Sequence, residues 1–290
     1  MADRLIGGVE GGGTKFLAAV ARQSGTDRPE ILDQTRIETT NTPIDTLAPL
    51  AEWLGGHPLD GLGIATFGPL NLVEGKVGIT PKEGWSNADV RGALTSRFDT
   101  PPPTGFDTDV NGAGLAEWRW GAAHGASVSL YITVGTGIGG GAVIDGSPLH
   151  GLGHPEMGHI SVPRHPAESL TCLCPHHDSC LEGMASGPAL AARTGQAGDR
   201  LQSDDPAWEF EVHYLAHGLA DLTLVLSPEV IVMGGGVMQQ ANLLERIAAR
   251  LDEVLDGYAA TPRVVPAALG QEAGLFGALA LATGVLSSQY

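Results

Sequence analysis

The sequence predicts an α/β protein of two similar lobes. Each half opens with an apolar strand, a Gly-rich turn and a second strand: LIGGVEGGGTKFLAAVA at 5–21 and SVSLYITVGTGIGGGAVID at 127–145. Strand-like apolar runs then alternate with segments whose apolar residues recur at helical spacing. The chain holds 42 glycines, clustered at 11–13, 135–141 and 234–236 after β-branched runs. Such clusters mark junctions where a backbone turns with positive φ or lets a ligand approach closely. Duplicated α/β lobes with a cleft between them produce this pattern.

The first half reads as follows. Residues 5–21 form a hairpin with its turn at 11–13, and IETT at 37–40 is a short strand. Thr46 to Leu54 has helical spacing. LDGLGIATFGPL is an apolar strand ending in the Gly68–Pro69 turn, and VGITPKEGW is a strand running into a polar loop. Asp89 to Phe98 is a helix with Asp89 in its first turn. PPPTGFDTDV is a proline-rich entry into a strand, followed by a helix over Ala113 to Trp120. The boundary between lobes is expected there, with an N-terminal lobe over 1–116, completed by a C-terminal helix 273–290, and a larger lobe over 117–272.

In the second half, the hairpin at 127–145 is followed by a Cys/His-rich loop and a helix from Leu181 to Arg193. Trp208 to Leu226 is a long helix, with apolar residues at 212, 215, 219, 222 and 226. EVIVMGGGV is a buried strand with a Gly turn, Asn242 to Leu255 an amphipathic helix, RVVPAAL a short strand, and Ala273 to Leu286 a helix. No solenoid-type repeat is present.

Composition removes several function classes. The formal net charge of −17 argues against a nucleic-acid partner, whose affinity comes mainly from cations meeting phosphates. No apolar run reaches the ~18–20 residues of a membrane span. The opening MADRLIGGVE lacks the apolar stretch of a signal peptide. Three clustered cysteines are no disulfide framework and fit metal binding in a reducing, cytoplasmic compartment.

The most informative stretch runs from HPEMGH at 154–159 to CLCPHHDSCLEG at 172–183. Cys174, His177 and Cys180 are spaced C-x2-H-x2-C, with His159 a loop upstream. Four thiolate and imidazole ligands in register point to a structural zinc, because four protein ligands leave no open position. Scattered thiols and surface imidazoles are the bland alternative. Cys172 either replaces a ligand or is a spare thiol, and the even spacing of the others favours the spare. Glu156 and Glu182 are interleaved with the ligands. Carboxylates fixed on such a loop suit the hydroxyls of a polyol.

EGGGTK at 10–15 joins two strands and is no Walker A loop. Its backbone N–H groups can still form an anion nest, with Thr14 and Lys15 as further donors. An ordinary glycine hairpin with a solvated lysine is an equal reading for this turn alone. TVGTGIGGG at 133–141 repeats the chemistry, which raises the case for a nucleoside triphosphate, and MGGGV at 233–237 could pass along its adenosine. In GFDTDVNGAG, Asp107, Asp109 and Asn111 are read at a strand end, sharing one face. A carboxylate there could take a hydroxyl proton during phosphoryl transfer. A turn or cap role is favoured for Asp107 and the functional one for Asp109.

EGGGTKF, ATFGPL, ITPKEGW, GFDTDVNGAGLAEWRWGAA, LYITVGTGIGGG, GLGHPEMGHI, CPHHDSCLEGMASGP and SPEVIVMGGGVMQQ together resemble the ROK family of sugar kinases and related repressors, and within it the bacterial fructokinase branch. The resemblance implies an actin-like ATPase fold of two RNase H-like lobes with an interlobe active-site cleft. It implies ATP-dependent, magnesium-assisted phosphorylation of a hexose, at the 6-hydroxyl of fructose for this branch, and a homodimer. By it Asp109 is the catalytic base, and Asn111, Glu156, His159 and Glu182 are sugar ligands, with His159 also on zinc. Gly12, Gly13, Thr14 and Lys15 form the first phosphate loop, and Thr136 and Gly137 the second. Gly187, Pro188, Gly234, Gly235 and Gly236 belong to the nucleotide site. Lys82, Gly84 and Trp85 lie on a loop that closes over the sugar. Glu10 stands where most of the family has Asp, a marker of the fructokinase branch, with magnesium then held through water. His177 stands in for one cysteine of the loop, which keeps Cys172 in play. Glucose, mannose or an N-acetylhexosamine are rival sugars. A sugar-responsive repressor is the rival of another class, but the first strand at about Leu5 leaves no room for its helix-turn-helix.

Overall fold

The computed structural model describes residues 3–287. In chain order, β1 (Arg4–Gly11), β2 (Lys15–Gln23), β3 (Glu30–Glu38), α1 (Pro43–Gly55), β4 (Gly61–Thr66), the short pair β5 (Leu70–Asn71) and β6 (Lys76–Val77), α2 (Val90–Thr95), β7 (Thr104–Thr108) and α3 (Asp109–Trp120) lead to β8 (Val128–Val134) and β9 (Ile138–Ile144). Then come β10 (Ser147–Pro148), α4 (Leu181–Ala185), α5 (Gly187–Thr194), α6 (Trp208–Leu226), β11 (Val230–Gly234), α7 (Leu243–Leu255), β12 (Arg263–Pro266) and α8 (Ala273–Leu286). The last three residues of the expected helix 273–290 lie outside the described residues. Among the described residues no helix is long and apolar enough to cross a membrane.

The chain forms two compact units. The first takes the chain through Gly125, Gly146–His154, and the segment from Leu269 onward; the second takes Ala126–Asp145 and Pro155–Ala268. α3 runs unbroken past the expected boundary at 116/117 to Trp120. The sheet of the first unit has the order β3-β2-β1-β4-β7. β1 pairs antiparallel with β2 and parallel with β4, and β4 pairs parallel with β7. Parallel neighbours need a crossover, and α1 supplies it between β3 and β4. The second unit repeats the plan: β8 pairs antiparallel with β9 and parallel with β11, which pairs parallel with β12.

Several elements differ from their sequence reading. The strand seen as IETT spans Glu30–Glu38, because pairing with β2 holds polar residues that carry no apolar signal. In VGITPKEGW only Val77 is in a strand, paired to Leu70. The helix expected over Leu181 to Arg193 is two helices, broken where Ser186 turns extended (φ −75°, ψ 163°) to cap the second. α3 begins at Asp109, four residues before Ala113, because Thr108 caps it by accepting from Asn111 N at 3.2 Å.

One face of the first sheet packs Val9, Phe16, Leu62 and Ile64 against Leu47, Leu50 and Leu54 of α1 and Leu94 of α2. The other face meets α8, whose residues from Leu275 to Ala282 are all buried. The helix crosses the strands at glycines. A Cβ on Gly63 would collide with the Ala278 carbonyl and lie 2.6 Å from Ala282 N; one on Gly105 would lie 2.9 Å from Leu281 O. On α8 itself, a Cβ on Gly277 would lie 2.5 Å from the Gly112 carbonyl carbon of α3. Buried Glu117 ties two chain segments together, accepting from Ala122 N at 2.7 Å and from Leu269 N at 2.8 Å.

Gly63→Ala should therefore destabilise strongly, since the added methyl meets backbone that cannot rotate away. Overpacking typically costs about 1–3 kcal/mol, and the upper part of that range is expected here. Gly56→Ala, at an exposed helix end with negative φ, is the control and should be close to neutral. Urea midpoints of the two variants check this; equal midpoints would remove the close-approach argument.

Candidate active site

The first unit gathers the Gly-rich turn between β1 and β2 and the acidic residues. Gly12 N donates to Lys15 O at 2.9 Å and closes the turn between β1 and β2. Thr39 braces it from the end of β3, donating from N to Thr14 O at 2.9 Å and from Oγ1 to Gly12 O at 2.8 Å. Gly13 and Thr14 are left exposed at its tip. Lys82 Nζ donates to Gly13 O, so this lysine reaches the turn from the loop over 80–87.

Gly84 and Trp85 are the fixings of that loop. Gly84 has φ +78°, which favours glycine, and a Cβ there would strike Asn41 O. Trp85 was expected near a bound sugar, and the structure corrects this. Its side chain is fully buried, its Nε1 donates to Thr40 O at 2.7 Å, and its ring stacks on Phe16 at 5.3 Å. A ring with no open surface and a satisfied N–H anchors the loop and offers nothing to a ligand.

The acidic motif is also arranged differently from its sequence reading. Asp107, Asp109 and Asn111 do not share a strand face, because β7 ends at Thr108 and the other two belong to the first turn of α3. Asp109 Oδ1 accepts from Val110 N at 2.9 Å. Asp107 is buried and accepts from Thr108 N at 2.7 Å, from Asn111 Nδ2 at 2.8 Å and from His150 Nε2 at 2.9 Å. Asn111 Oδ1 is buried without a partner. Glu10, next to last in β1, lies close to both Lys15 and Asp109. Burial pushes its carboxyl above the usual range, Lys15 opposes this and Asp109 adds to it. Its Oε2 is buried without a partner.

The second unit gathers the remaining turns. Gly135 N donates to Gly137 O, and Gly187 N to Gly135 O, both at 2.8 Å, so the start of α5 abuts the turn between β8 and β9. Pro188, in the first turn of α5, suits a position with no donor to satisfy. Gly234 ends β11, and Gly235, with φ +93°, presses against the Val134 backbone. Three chain turns thus meet around Gly135, with Thr136 and Gly236 beside them. Glu182, in the first turn of α4, accepts from Ile138 N at 2.9 Å and lies 3.9 Å from His159 Nε2. Glu156 precedes the short 3-10 turn Met157–His159.

The ligand atoms of His159, Cys174, His177 and Cys180 lie within 4.8 Å of one another. Cys174 Sγ is 3.8 Å from His159 Nδ1 and 3.2 Å from His177 Nδ1, and Cys180 Sγ is 3.8 Å from His159 Nδ1. Tetrahedral zinc with bonds of about 2.1–2.3 Å sets ligand atoms about 3.6 Å apart, so the spacing fits. Burial, with help from the neighbouring sulfurs, pushes the Cys180 thiol up to about 12. A cation is what would let it ionise at neutral pH. Cys172 stands outside this set, with its sulfur against Gly183.

Sequence reasoning missed His150, which lies 43 residues from its partner Asp107 in a Gly-rich segment with no motif of its own. It named Glu10 only as a departure. The signal available was its place beside the turn, a carboxylate next to last in an apolar strand.

Residues 6–285 match the ROK family. The chain is 37% identical to the fructokinase of Pediococcus pentosaceus, over 98% of this chain and 99% of that protein. It is 41% identical to the fructokinase of Zymomonas mobilis subsp. mobilis, over 96% of each. Among solved structures, the ROK hexokinase from Thermus thermophilus superposes with a TM-score of 0.83 at 30% identity, over 98% of this chain and 99% of that one. A ROK family glucokinase from Streptomyces griseus, in complex with glucose and AMPPNP, gives 0.77 at 27% identity, over 96% and 99%. The chain therefore has the actin-like ATPase fold and belongs to the ROK family.

Proposed function

We propose that this protein is an ATP-dependent hexose kinase that prefers fructose and phosphorylates its 6-hydroxyl. The observation that carries the reading is full-length similarity to fructokinases, joined to a carboxylate, Asp109, held at the start of α3 near Glu10. A sugar hydroxyl is a poor nucleophile until its proton is taken as the bond to phosphorus forms. Asp109 takes that proton. The amides of Gly12 to Thr14, with Lys15, hold phosphate oxygens, and Lys82 adds a cation at the same turn. Thr136, Gly137 and the start of α5 at Gly187 and Pro188 supply a second set of donors. Gly234 to Gly236 let the nucleotide lie close to the backbone. Asn111, Glu156, His159 and Glu182 bind the sugar hydroxyls. Glu10, with a buried oxygen short of a partner, suits a site for magnesium. Magnesium bound with ATP neutralises phosphate charge during transfer.

Zinc held by His159, Cys174, His177 and Cys180 is structural in this reading. It would fix His159, whose other nitrogen faces Glu182, and so steady the second turn through Ile138 N. The same reading takes the protein to be a homodimer, which sedimentation measures directly.

Three measurements test these roles. Asp109→Asn keeps the size of the side chain and removes the base. Its kcat should fall about 100- to 10,000-fold with little change in sugar affinity by calorimetry; near-full turnover would place the base elsewhere. Metal analysis should find one zinc per chain, lost in Cys174→Ser and kept in Cys172→Ser; the reverse pattern moves the ligand assignment to Cys172. Comparing kcat/KM for fructose, mannose and glucose should favour fructose, and a clear preference for glucose would end the fructokinase reading while leaving the kinase reading standing.

A further inference from the structure

Asp107 is a carboxylate whose hydrogen bonds are filled from inside the fold. Its side chain is 2% exposed, and it takes three donors: the Thr108 amide, the Asn111 side-chain amide and the His150 imidazole. An ionised carboxylate only accepts, so the NH2 of Asn111 must face it and the amide oxygen must point away. That oxygen, Oδ1, is buried and unpartnered, on a residue 1% exposed. A buried acceptor left open is costly unless something completes it. His150 approaches from the segment Gly146–His154. Its bond to Asp107 holds the imidazole above its usual proton affinity, which keeps Nε2 a donor. The 3.4 Å between His150 Nε2 and Asn111 Nδ2 is then a contact of two donors around one carboxylate.

We infer that Asp107 and His150 are a positioning pair that locks the Asn111 amide with its oxygen turned away from Asp107, so that Asn111 accepts a hydrogen bond from one hydroxyl of the sugar. The inference rests on the kinase reading and adds to it two residues that do not touch the sugar. Asp107 decides which end of the amide is offered, and His150 holds Asp107. A free Asn would present either its NH2 or its oxygen, and would bind hydroxyl donors and ether-type acceptors alike. The locked one demands a donor. Asp109, two residues before Asn111, is left to take the proton of the reacting hydroxyl.

The test uses the full chain and the hexose that the wild type turns over best. Asp107→Asn introduces an NH2 that can donate to Asn111 Oδ1 and consume the acceptor. Sugar Kd by calorimetry and sugar KM should rise about tenfold, the worth of one good hydrogen bond. KM for ATP should stay within about twofold, as no phosphate-holding group is altered. His150→Ala should raise sugar KM in the same direction. His150→Gln, which can still donate to Asp107, should restore it, and the partly exposed position keeps this pair of variants foldable if Asp107→Asn is not. If Asp107→Asn and His150→Ala lower the melting temperature yet leave sugar Kd unchanged, the pair is only a structural pin and the inference is overturned. If His150→Gln behaves as His150→Ala, the donor role is overturned. A wild type that neither binds nor phosphorylates any hexose defeats the kinase reading itself, and the inference with it.

Discussion

The contact on which the first unit depends is the approach of α8 to the sheet at backbone distance. Side chains would hold a helix and a sheet well apart, but glycine stands where α8 crosses β4 and β7 and where it meets α3. The gain is dense packing of a helix buried on all sides, with little tolerance for added volume. The position of α3 follows, because Gly277 lies directly on Gly112. Asp109 and Asn111 are therefore placed by backbone contacts, which are stiffer than side-chain ones. Glu10 is served by the same helix: a Cβ on Gly274 would strike its carboxylate, so the start of α8 leaves room for the longer acid.

Within this frame the acids of the first unit are treated in opposite ways. Asp107 takes three donors from within the fold. Glu10 has a buried oxygen with no donor and a raised proton affinity caused first by burial. Native folds leave few buried polar atoms open, and each one calls for a cause such as strain, a catalytic role, a water or an ion. Asn111 Oδ1 and Glu10 Oε2 are two such atoms in one unit. In the second unit the corresponding reserve is the Cys/His cluster, where a buried thiol is held neutral unless a cation joins it.

Much of this was legible in the sequence, and the failures have definite physical causes. The two hairpins with Gly-rich turns, the long helix Trp208–Leu226 and the last helix from Ala273 are where periodicity placed them, because apolar runs decide such elements. The four-ligand cluster was readable because three of its members are close neighbours in the chain. The strand-to-helix switch after Thr108 was missed, since alternation and helical spacing cannot be told apart over five residues, and Asp109 and Asn111 were read as continuing the strand. Trp85 was misjudged because a large aromatic beside a glycine reads alike whether it is an anchor or a contact; only its burial decides. The Asp107–His150 bond spans 43 residues and leaves no local trace.

The turn after β1 and the loop over 80–87 are joined twice. Lys82 is bonded to Gly13 O, and Trp85 is stacked on Phe16, the residue after Lys15. Neither segment can move without straining the other. Thermodynamic reciprocity then applies. An anion that reshapes the turn and loosens Lys82 must bind more weakly when the loop is locked down, and any molecule that locks the loop must feel the presence of that anion to the same extent in free energy. The two affinities are thus coupled through one lysine and one stacked indole.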